Sequence, residues 1–268
     1  MRNRLLGPIF ALAAVLALSS VLRGQRAEES TAAKTQIAAP RPDLSGVWVI
    51  PRESHAGPRR YGRGFGINPS FTTEEPPMTP WADAKYKATN SAYEGANGLA
   101  DLIDPVYSCF PPGVPRIYIE EPPLPMEIIQ VPGRVIELFE YNHYVRQIYT
   151  DGREHSKDLA GTWMGDSIGR WEGDTLVVDT TSFNEKTFVD KIGHPHSDAL
   201  HIVEHIRRVD HNTLVIDISI EDPKAYTKPW GGQLKFQVKP DWNIMEHVCE
   251  DNVNFIEFHK KSTVELNK

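Results

Sequence analysis

From Met126 onward, the sequence alternates apolar and polar residues in short runs that are separated by turn residues. Every second residue of Thr213–Glu221 is Leu or Ile, for example. Turn signals such as Pro132-Gly133, Asp151-Gly152 and Glu172-Gly173-Asp174 lie between these runs. This pattern is typical of antiparallel strands joined by tight turns. It predicts an all-β fold, an antiparallel meander that closes into a barrel or a sandwich.

The alternation also gives the bounds of individual strands. We predict a short first strand at Gly46–Val49, and later strands at Met126–Val131, 135–141, 145–150, 168–171, Thr175–Thr181, 201–209, Thr213–Glu221, 234–238 and 244–249. Residues 42–125 are instead rich in Pro and Gly, and Pro fixes φ and removes a backbone donor. We expect this half to form loops that wrap the strands, with one helix from Pro80 to about residue 92.

The start of the chain reads as a secretion signal. Arg2 and Arg4 precede an apolar run at 8–22, and polar residues follow at once. The run is shorter than the roughly 20 residues that span a bilayer, and it fits the apolar region of a signal peptide. We expect a signal peptide at 1–27, a flexible tether at 28–41 and a single β domain at 42–268, made of the wrap at 42–125 and strands at 126–258. An uncleaved anchor is the alternative.

Charge limits the class of partner. The net charge is −7, and loss of the four Arg residues within 1–26 would make it −11. An acidic protein repels nucleic acids and anionic membrane surfaces. We therefore expect a periplasmic or secreted protein with a small-molecule ligand or substrate, no nucleic-acid partner, and no membrane contact after signal cleavage.

The two cysteines, Cys109 and Cys249, are the only ones in the sequence. An even pair in an oxidising compartment usually forms a disulfide. Such a bond would tie the loop-rich wrap to the last strands. The alternative is a pair of unpaired or metal-binding thiols.

Residues 141–204 mix aromatic and ionisable side chains at high density, as a small-molecule pocket requires. Histidine is the usual acid–base group near neutral pH, so we predict His196 or His201 as acid or base, oriented by Asp166 or Asp179. The predicted substrate-binding residues are Tyr144, Arg146, Trp163, Arg170, Trp171, Tyr226 and Trp230. Arg146 and Arg170 would bind a carboxylate or stabilise an oxyanion.

The histidine-rich stretch from His194 to His201 allows two other interpretations. His194, His196 and His201 are the residues that would hold a divalent metal if one is bound, because imidazoles are natural metal ligands. A purely structural loop is the second alternative. The sequence has no H-E-x-x-H, C-x-x-C or G-x-S-x-G motif and no phosphate-binding glycine loop. We expect no cofactor.

Long stretches of the sequence resemble a family of exported bacterial proteins. They are DLSGVW (43–48), CFPPGVPR (109–116), IIQVPGRVIELFEYNHYVRQIYTDGR (128–153), WMGDSIGRWEGDTLVVDTTSFN (163–184), PHSDALHIVEHIRR (195–208) and IEDPKAYTKPW (220–230). The resemblance covers most of the chain after the signal. It implies that the residues within these motifs form the site, and it carries no activity with it.

A shorter pattern is similar to the lipocalin and calycin barrels, which hold small apolar ligands. It consists of Gly46-x-Trp48 on a first strand, followed by a long antiparallel meander. The chain departs from that pattern because a long loop-rich segment separates the first strand from the meander. The resemblance implies a closed barrel with an apolar ligand.

Three functions follow from these observations. The first is an exported lyase, isomerase or hydrolase that uses acid–base chemistry on a small organic molecule in a barrel pocket. The second is a non-catalytic, lipocalin-like binding protein for a small apolar or aromatic ligand. The third is a docking protein that uses its Pro-rich segments at 74–80 and 120–125 as a recognition surface.

Overall fold

The computed structural model describes residues 42–51, 72, 74–95, 104–120 and 124–249, with only the backbone of 90–95 and of 107. The described residues all belong to one compact unit. The expected signal peptide (1–27) and the expected tether (28–41) lie outside the described residues. The final part of the predicted strand region, 250–258, also lies outside them.

The described chain folds into a closed barrel of nine strands, so the all-β prediction is confirmed and the barrel is favoured over the sandwich. The strands are β1 (Gly46–Val49), β2 (Met126–Val131), β3 (Arg134–Phe139), β4 (Val145–Tyr149), β5 (Asp166–Glu172), β6 (Thr175–Thr181), β7 (His201–Arg208), β8 (Thr213–Glu221) and β9 (Trp230–Val238). Each strand pairs with the next one in sequence, and β9 pairs back onto β1.

One seam of the barrel departs from the predicted antiparallel meander. β4 and β5 run parallel, with Ile148 opposite Ser167 and Tyr149 opposite Ile168. Parallel neighbours cannot be joined by a tight turn, so the chain at 150–165 has to cross from one end of the barrel to the other. This crossover carries His155 to the outer face of the barrel, where it contacts residues of β5 and β6.

The tight turns explain the antiparallel seams. Gly133 and Gly173, in the β2–β3 and β5–β6 turns, have φ angles of +80° and +58°. Glycine adopts this left-handed conformation without a steric cost, and such turns match the twist of the strands that they join.

The barrel interior is filled by the inward faces of the strands. The apolar side chains of β6, β7 and β8 that point inward are fully or almost fully buried: Leu176, Val178, Ile202, Ile206, Leu214, Ile216, Ile218 and Ile220. Trp48 of β1 is also fully buried, and its indole N–H donates to the Leu44 carbonyl at 3.0 Å. The Arg208 guanidinium lies over the Trp48 ring, 5.1 Å from its centroid.

The predicted helix is present as α1, Pro80–Gly95. It begins there because Pro is suited to the first helical turn and the Thr79 hydroxyl accepts the Ala82 N–H at 3.3 Å. One face of α1 is buried, with Ala82 and Tyr86 at helical spacing. Among the described residues, no helix has the length and apolar character needed to cross a bilayer.

The predicted strand at 244–249 is wrong, because this segment forms no strand. Since β9 already pairs with β1, the closed barrel leaves no free edge for a further strand. The segment instead bonds to the turn after β3. The Met245 N–H donates to the Glu140 carboxylate at 2.9 Å, and the Cys249 N–H donates to the Asn142 side-chain oxygen at 3.2 Å.

The predicted disulfide between Cys109 and Cys249 is confirmed, with the two Cα atoms 5.6 Å apart. It fastens the segment after β9 to the wrap. Tyr144 lies beside it and donates from its hydroxyl to the Cys109 carbonyl at 3.0 Å.

Candidate active site on the outer face of the barrel

Three of the four predicted catalytic residues come together on the outer face of β5, β6 and β7. Because strand side chains alternate, Asp179 points outward while Val178 and Thr180 of β6 point into the barrel. In the register of the sheet, Asp179 lies between Ile168 of β5 and Val203 of β7. Asp166 and His201 lie on those two flanking strands and also point outward.

A residue of the crossover completes this group. His155 Nδ1 lies 3.2 Å from Asp166 Oδ2, and His155 Nε2 lies 2.8 Å from Asp179 Oδ1. Asp166 Oδ2 also accepts the Ser156 N–H at 3.0 Å. We call Asp166, His155, Asp179 and His201 the Asp179 cluster. Sequence reasoning missed His155 as a site residue, since it lies in a loop whose path depends on the parallel seam.

His201 bonds to the other oxygen of the same carboxylate. Its Nε2 lies 3.0 Å from Asp179 Oδ2, and its Nδ1 lies 3.8 Å from the nearest oxygen of Glu221, which is beyond hydrogen-bond distance. Partial burial raises the pKa of Asp179, but hydrogen bonds from His201 and His155 outweigh it and hold that pKa below its usual value. Asp179 is therefore an ionised acceptor, and each histidine donates from Nε2–H.

This arrangement fixes the tautomer of His201. When Nε2 carries the proton that Asp179 accepts, the neutral ring presents a bare lone pair at Nδ1. The side chains of His155 and His201 are 25% and 33% exposed, so a small molecule can reach them from solvent. The cluster thus combines an oriented imidazole with a partly exposed ring.

The fourth predicted catalytic residue, His196, bonds to residues outside the Asp179 cluster. It is buried, and both ring nitrogens have protein partners at 3.0 Å, the Thr187 hydroxyl and the Ser197 carbonyl. Burial lowers the pKa of His196, and the bond to Ser197 offsets only part of that effect. The geometry therefore favours His201 over His196 as the acid–base residue.

The three histidines considered as metal ligands each have a different partner. His194 Nδ1 bonds Asp190 at 2.6 Å, His196 bonds Thr187, and His201 bonds Asp179. Within the described ranges, no three His, Cys, Asp or Glu side chains are arranged to hold a metal ion. The structure does not bring the suggested metal set together.

Arg146, predicted to bind substrate, lies inside the barrel. Its guanidinium donates to Glu204 through both terminal nitrogens, to Glu137 at 3.2 Å and to the Tyr118 hydroxyl at 2.6 Å. Ser167 and Thr180 accept further bonds from it at 3.1 and 2.9 Å. We call these six residues the Arg146 network. Its three charged side chains are at most 2% exposed.

The other predicted binding residues contact different parts of the molecule. Trp163 stacks on Phe110 with the ring centroids 5.2 Å apart, and Trp171 packs against the core. Arg170 is exposed and bonds Glu172 at 2.7 Å. Tyr226 and Trp230 contact each other, edge to face at 5.1 Å.

The buried carboxylates of the Arg146 network were also missed, although the sequence carries a signal for them. Glu137 falls in phase with Val135 and Phe139 on the inward face of β3, and Glu204 falls in phase with Ile202 on β7. A charged residue in register with the apolar face of a strand is rarely exposed, and it needs a buried partner. Arg146, in phase with Ile148 on β4, is that partner.

Glu137 makes the stability of the barrel depend on pH. Burial raises the pKa of Glu137 to about 7; the nearby Glu204 carboxylate adds to the rise and Arg146 opposes it. A carboxyl group whose pKa is raised on folding stabilises the protein below its unfolded pKa, and that stabilisation is lost as pH rises through the folded pKa.

We therefore expect the free energy of unfolding to decrease as the pH is raised from about 5 to about 8. Glu137 should contribute on the order of 2–3 kcal/mol to this decrease. Glu137→Gln should remove that contribution, measured by chemical denaturation at both pH values. Glu127→Gln, on the neighbouring strand β2, is the matched control and should keep the wild-type slope. An unchanged slope in Glu137→Gln would contradict the assignment.

Neither a protein-family model nor a curated protein sequence matches this chain. What the site can do is therefore set by its own chemistry. The Asp179 carboxylate holds two imidazoles on an accessible surface. Such a group can take a proton from a bound molecule and return it.

Proposed function

We propose that the protein is an exported enzyme that performs acid–base chemistry on a small organic molecule, with His201 as general acid and base. The observation that carries the proposal is the pair of bonds from Asp179 to His201 and His155, at 3.0 and 2.8 Å. A carboxylate that fixes one ring nitrogen sets the tautomer and stabilises the imidazolium that forms when the other nitrogen takes a proton.

His155 and Asp166 act as positioning residues in this proposal. His155 bonds Asp179 Oδ1 while His201 bonds Oδ2, and His155 Nδ1 lies 3.2 Å from Asp166 Oδ2. Ile168 and Val203 flank Asp179 in the sheet and offer apolar surface beside the charged groups. Asp166, Asp179 and His201 also fall within the motifs that resemble the family of exported proteins, which supports the choice of this cluster.

The reaction classes that suit one oriented imidazole are those limited by proton transfer. Removal of a proton next to a carbonyl group leads to isomerisation or elimination, and activation of water leads to hydrolysis. The proposal therefore covers an isomerase, a lyase or a hydrolase.

Export is supported by the Cys109–Cys249 disulfide, because disulfides form and persist in oxidising compartments. We place the protein in the periplasm or outside the cell. Its negative charge agrees with a small-molecule substrate rather than a nucleic acid.

A barrel fold also suits a ligand-binding protein of the lipocalin kind, with the ligand inside the barrel. The inward side chains of the described strands, however, are buried against one another and surround the Arg146 network. An apolar ligand would have to displace them. We therefore place the substrate at the outer face, beside the Asp179 cluster.

Isotope exchange tests the proposal without a known substrate. The protein is incubated with pooled small carbonyl compounds and esters in D₂O and, separately, in H₂¹⁸O, and products are read by mass spectrometry. Proton abstraction leaves deuterium on carbon, and hydrolysis leaves ¹⁸O in the acid product. We expect one compound to gain label at a rate that His201→Gln lowers by roughly 10²–10⁴-fold.

Matched variants separate catalysis from folding. His205→Gln changes an exposed histidine on the same strand and should keep the wild-type rate. Asp179→Asn should lower the rate as His201→Gln does, while circular dichroism stays unchanged. Equal labelling by wild type and His201→Gln, or no labelling by the wild type, would count against an acid–base enzyme at this cluster.

A further inference from the structure

The outer face of the barrel places two hydrogen-bond acceptors opposite each other at the Asp179 cluster. Glu221 ends β8 and lies directly across from His201 in the register of β7 and β8. An oxygen of its carboxylate lies 3.8 Å from His201 Nδ1. Because Asp179 accepts from Nε2–H, the neutral ring has a lone pair at Nδ1, and an ionised carboxylate can only accept. Two electron-rich atoms at this distance favour a donor or a positive charge beside them.

Both groups can be reached from solvent. The side chains of His201 and Glu221 are 33% and 50% exposed, so a molecule can contact them at the surface without displacing packed side chains. Within the described part of the chain, the contact with His201 is the only ion pair of the Glu221 carboxylate. This carboxylate can therefore turn toward a ligand without giving up a shorter bond.

The charges around His201 are negative. Asp166, Asp179 and Glu221 are the carboxylates that contact the two imidazoles on this face. Their only ion-pair partners among the described residues are those imidazoles, and no Lys or Arg of the same residues forms a salt bridge with them. Three carboxylates without a permanent cation attract positive molecules and repel negative ones.

The arginines do not reverse this charge. Arg170 and Arg207 point outward from β5 and β7, and they pair with Glu172 at 2.7 Å and with Asp217 at 2.6 Å. Arg146, which was predicted to bind a carboxylate, lies inside the barrel. The site therefore lacks the groups that would hold an anionic substrate, and it has those that would hold a cation.

We propose that the substrate of the Asp179 cluster is a small organic cation, which carries an ammonium group next to a carbonyl group. In this inference, which rests on the proposed function for the role of His201, the ammonium group donates to the Glu221 carboxylate. The adjoining part of the molecule then lies at His201 Nδ1. Amides and esters of amino acids are the simplest compounds of this class. Ile168 and Val203, which flank Asp179 in the sheet, offer apolar surface to their side chains.

Leucinamide tests the inference through binding alone, without turnover. The full-length chain is labelled with ¹⁵N-histidine, and the ring signals of His201 are identified by their loss in His201→Gln. Leucinamide is titrated in, and so is its neutral isostere, in which a methyl group replaces the ammonium group. We expect saturable movement of the His201 signals with leucinamide. The isostere should bind at least about fivefold more weakly, because the carboxylates do not attract it. Added salt should weaken only the binding of leucinamide.

Two variants assign the preference to Glu221. Glu221→Gln should weaken the binding of leucinamide by about two- to fivefold and reduce its advantage over the isostere. Glu127→Gln, which removes the same charge from β2, is the matched control and should bind leucinamide as the wild type does. Equal affinity of the wild type for leucinamide and the isostere would overturn the proposal. So would His201 signals that stay in place, or an unchanged affinity in Glu221→Gln.

Catalysis is measured separately by isotope exchange. If leucinamide binds at His201 but no compound gains label, the preference for a cation stands as that of a binding site, and the proposed catalysis fails. If a neutral or anionic compound gains label while leucinamide leaves the His201 signals in place, the catalysis stands and the inference of a cationic substrate fails.

Discussion

Arg146→Met is expected to lower the free energy of unfolding by roughly 3–5 kcal/mol. The substitution leaves Glu137 and Glu204 inside the barrel without the cation that bonds both of them. An uncompensated buried carboxylate must either stay charged at a high desolvation cost or take up a proton. The loss, measured by chemical denaturation, should therefore grow as pH rises.

Two further variants separate charge from packing. Adding Glu137→Gln and Glu204→Gln to Arg146→Met removes all the charges and should restore much of the lost stability, since a neutral cluster needs no counterion. Arg170→Met removes an exposed arginine of β5 whose salt bridge to Glu172 is solvent-screened, so it should cost less than about 1 kcal/mol. If Arg146→Met were as mild as Arg170→Met, the network would not be stabilising the barrel.

Removal of the disulfide by Cys109→Ala with Cys249→Ala is expected to cost roughly 2–5 kcal/mol. The bond joins residues 140 positions apart, and for a loop of that length the chain-entropy estimate is about 5 kcal/mol. The double variant avoids a free thiol. Urea denaturation of wild type and variant under oxidising conditions measures the difference.

Reduction of the wild type gives an internal control. With a reductant present, the wild type should unfold at the same urea concentration as the double variant, because both then lack the crosslink. A variant within about 1 kcal/mol of the oxidised wild type would show that the segment after β9 is held by its other contacts, such as those to Glu140 and Asn142.

Local sequence signals were enough to predict most of the strands. Thr175–Thr181 and Thr213–Glu221 have the predicted bounds because alternation and flanking turn residues act over neighbouring positions. The segment 244–249 was mistaken for a strand because the sequence does not show that the pairing of β9 with β1 already closes the sheet. The parallel β4–β5 seam was missed for a similar reason, since it depends on the path of a crossover.

The sequence predicts the types of residue in the candidate site better than it predicts which side chains bond to one another. The residue types predict His201 as a candidate acid or base and Asp166 or Asp179 as the group that orients it, and the outward register of β5, β6 and β7 brings the three together. His155, which contacts both Asp166 and Asp179, lies in the crossover. The crossover has no periodic sequence pattern from which the position of His155 could be predicted. The bond between His194 and Asp190 likewise depends on the fold of a loop.

The seam between β1 and β9 has a consequence for the order in which the chain folds. Every other seam joins strands that are consecutive in sequence, whereas this one brings Trp48 against Val238 across nearly the whole described chain. Contacts between distant residues carry a larger loop-closure cost than hairpins, so they form after the hairpins. We expect the strands from β5 to β9 to assemble first, and β1 to dock last. Until that step, β2 and β9 remain open edges, and a partly folded chain can pair with another copy through them.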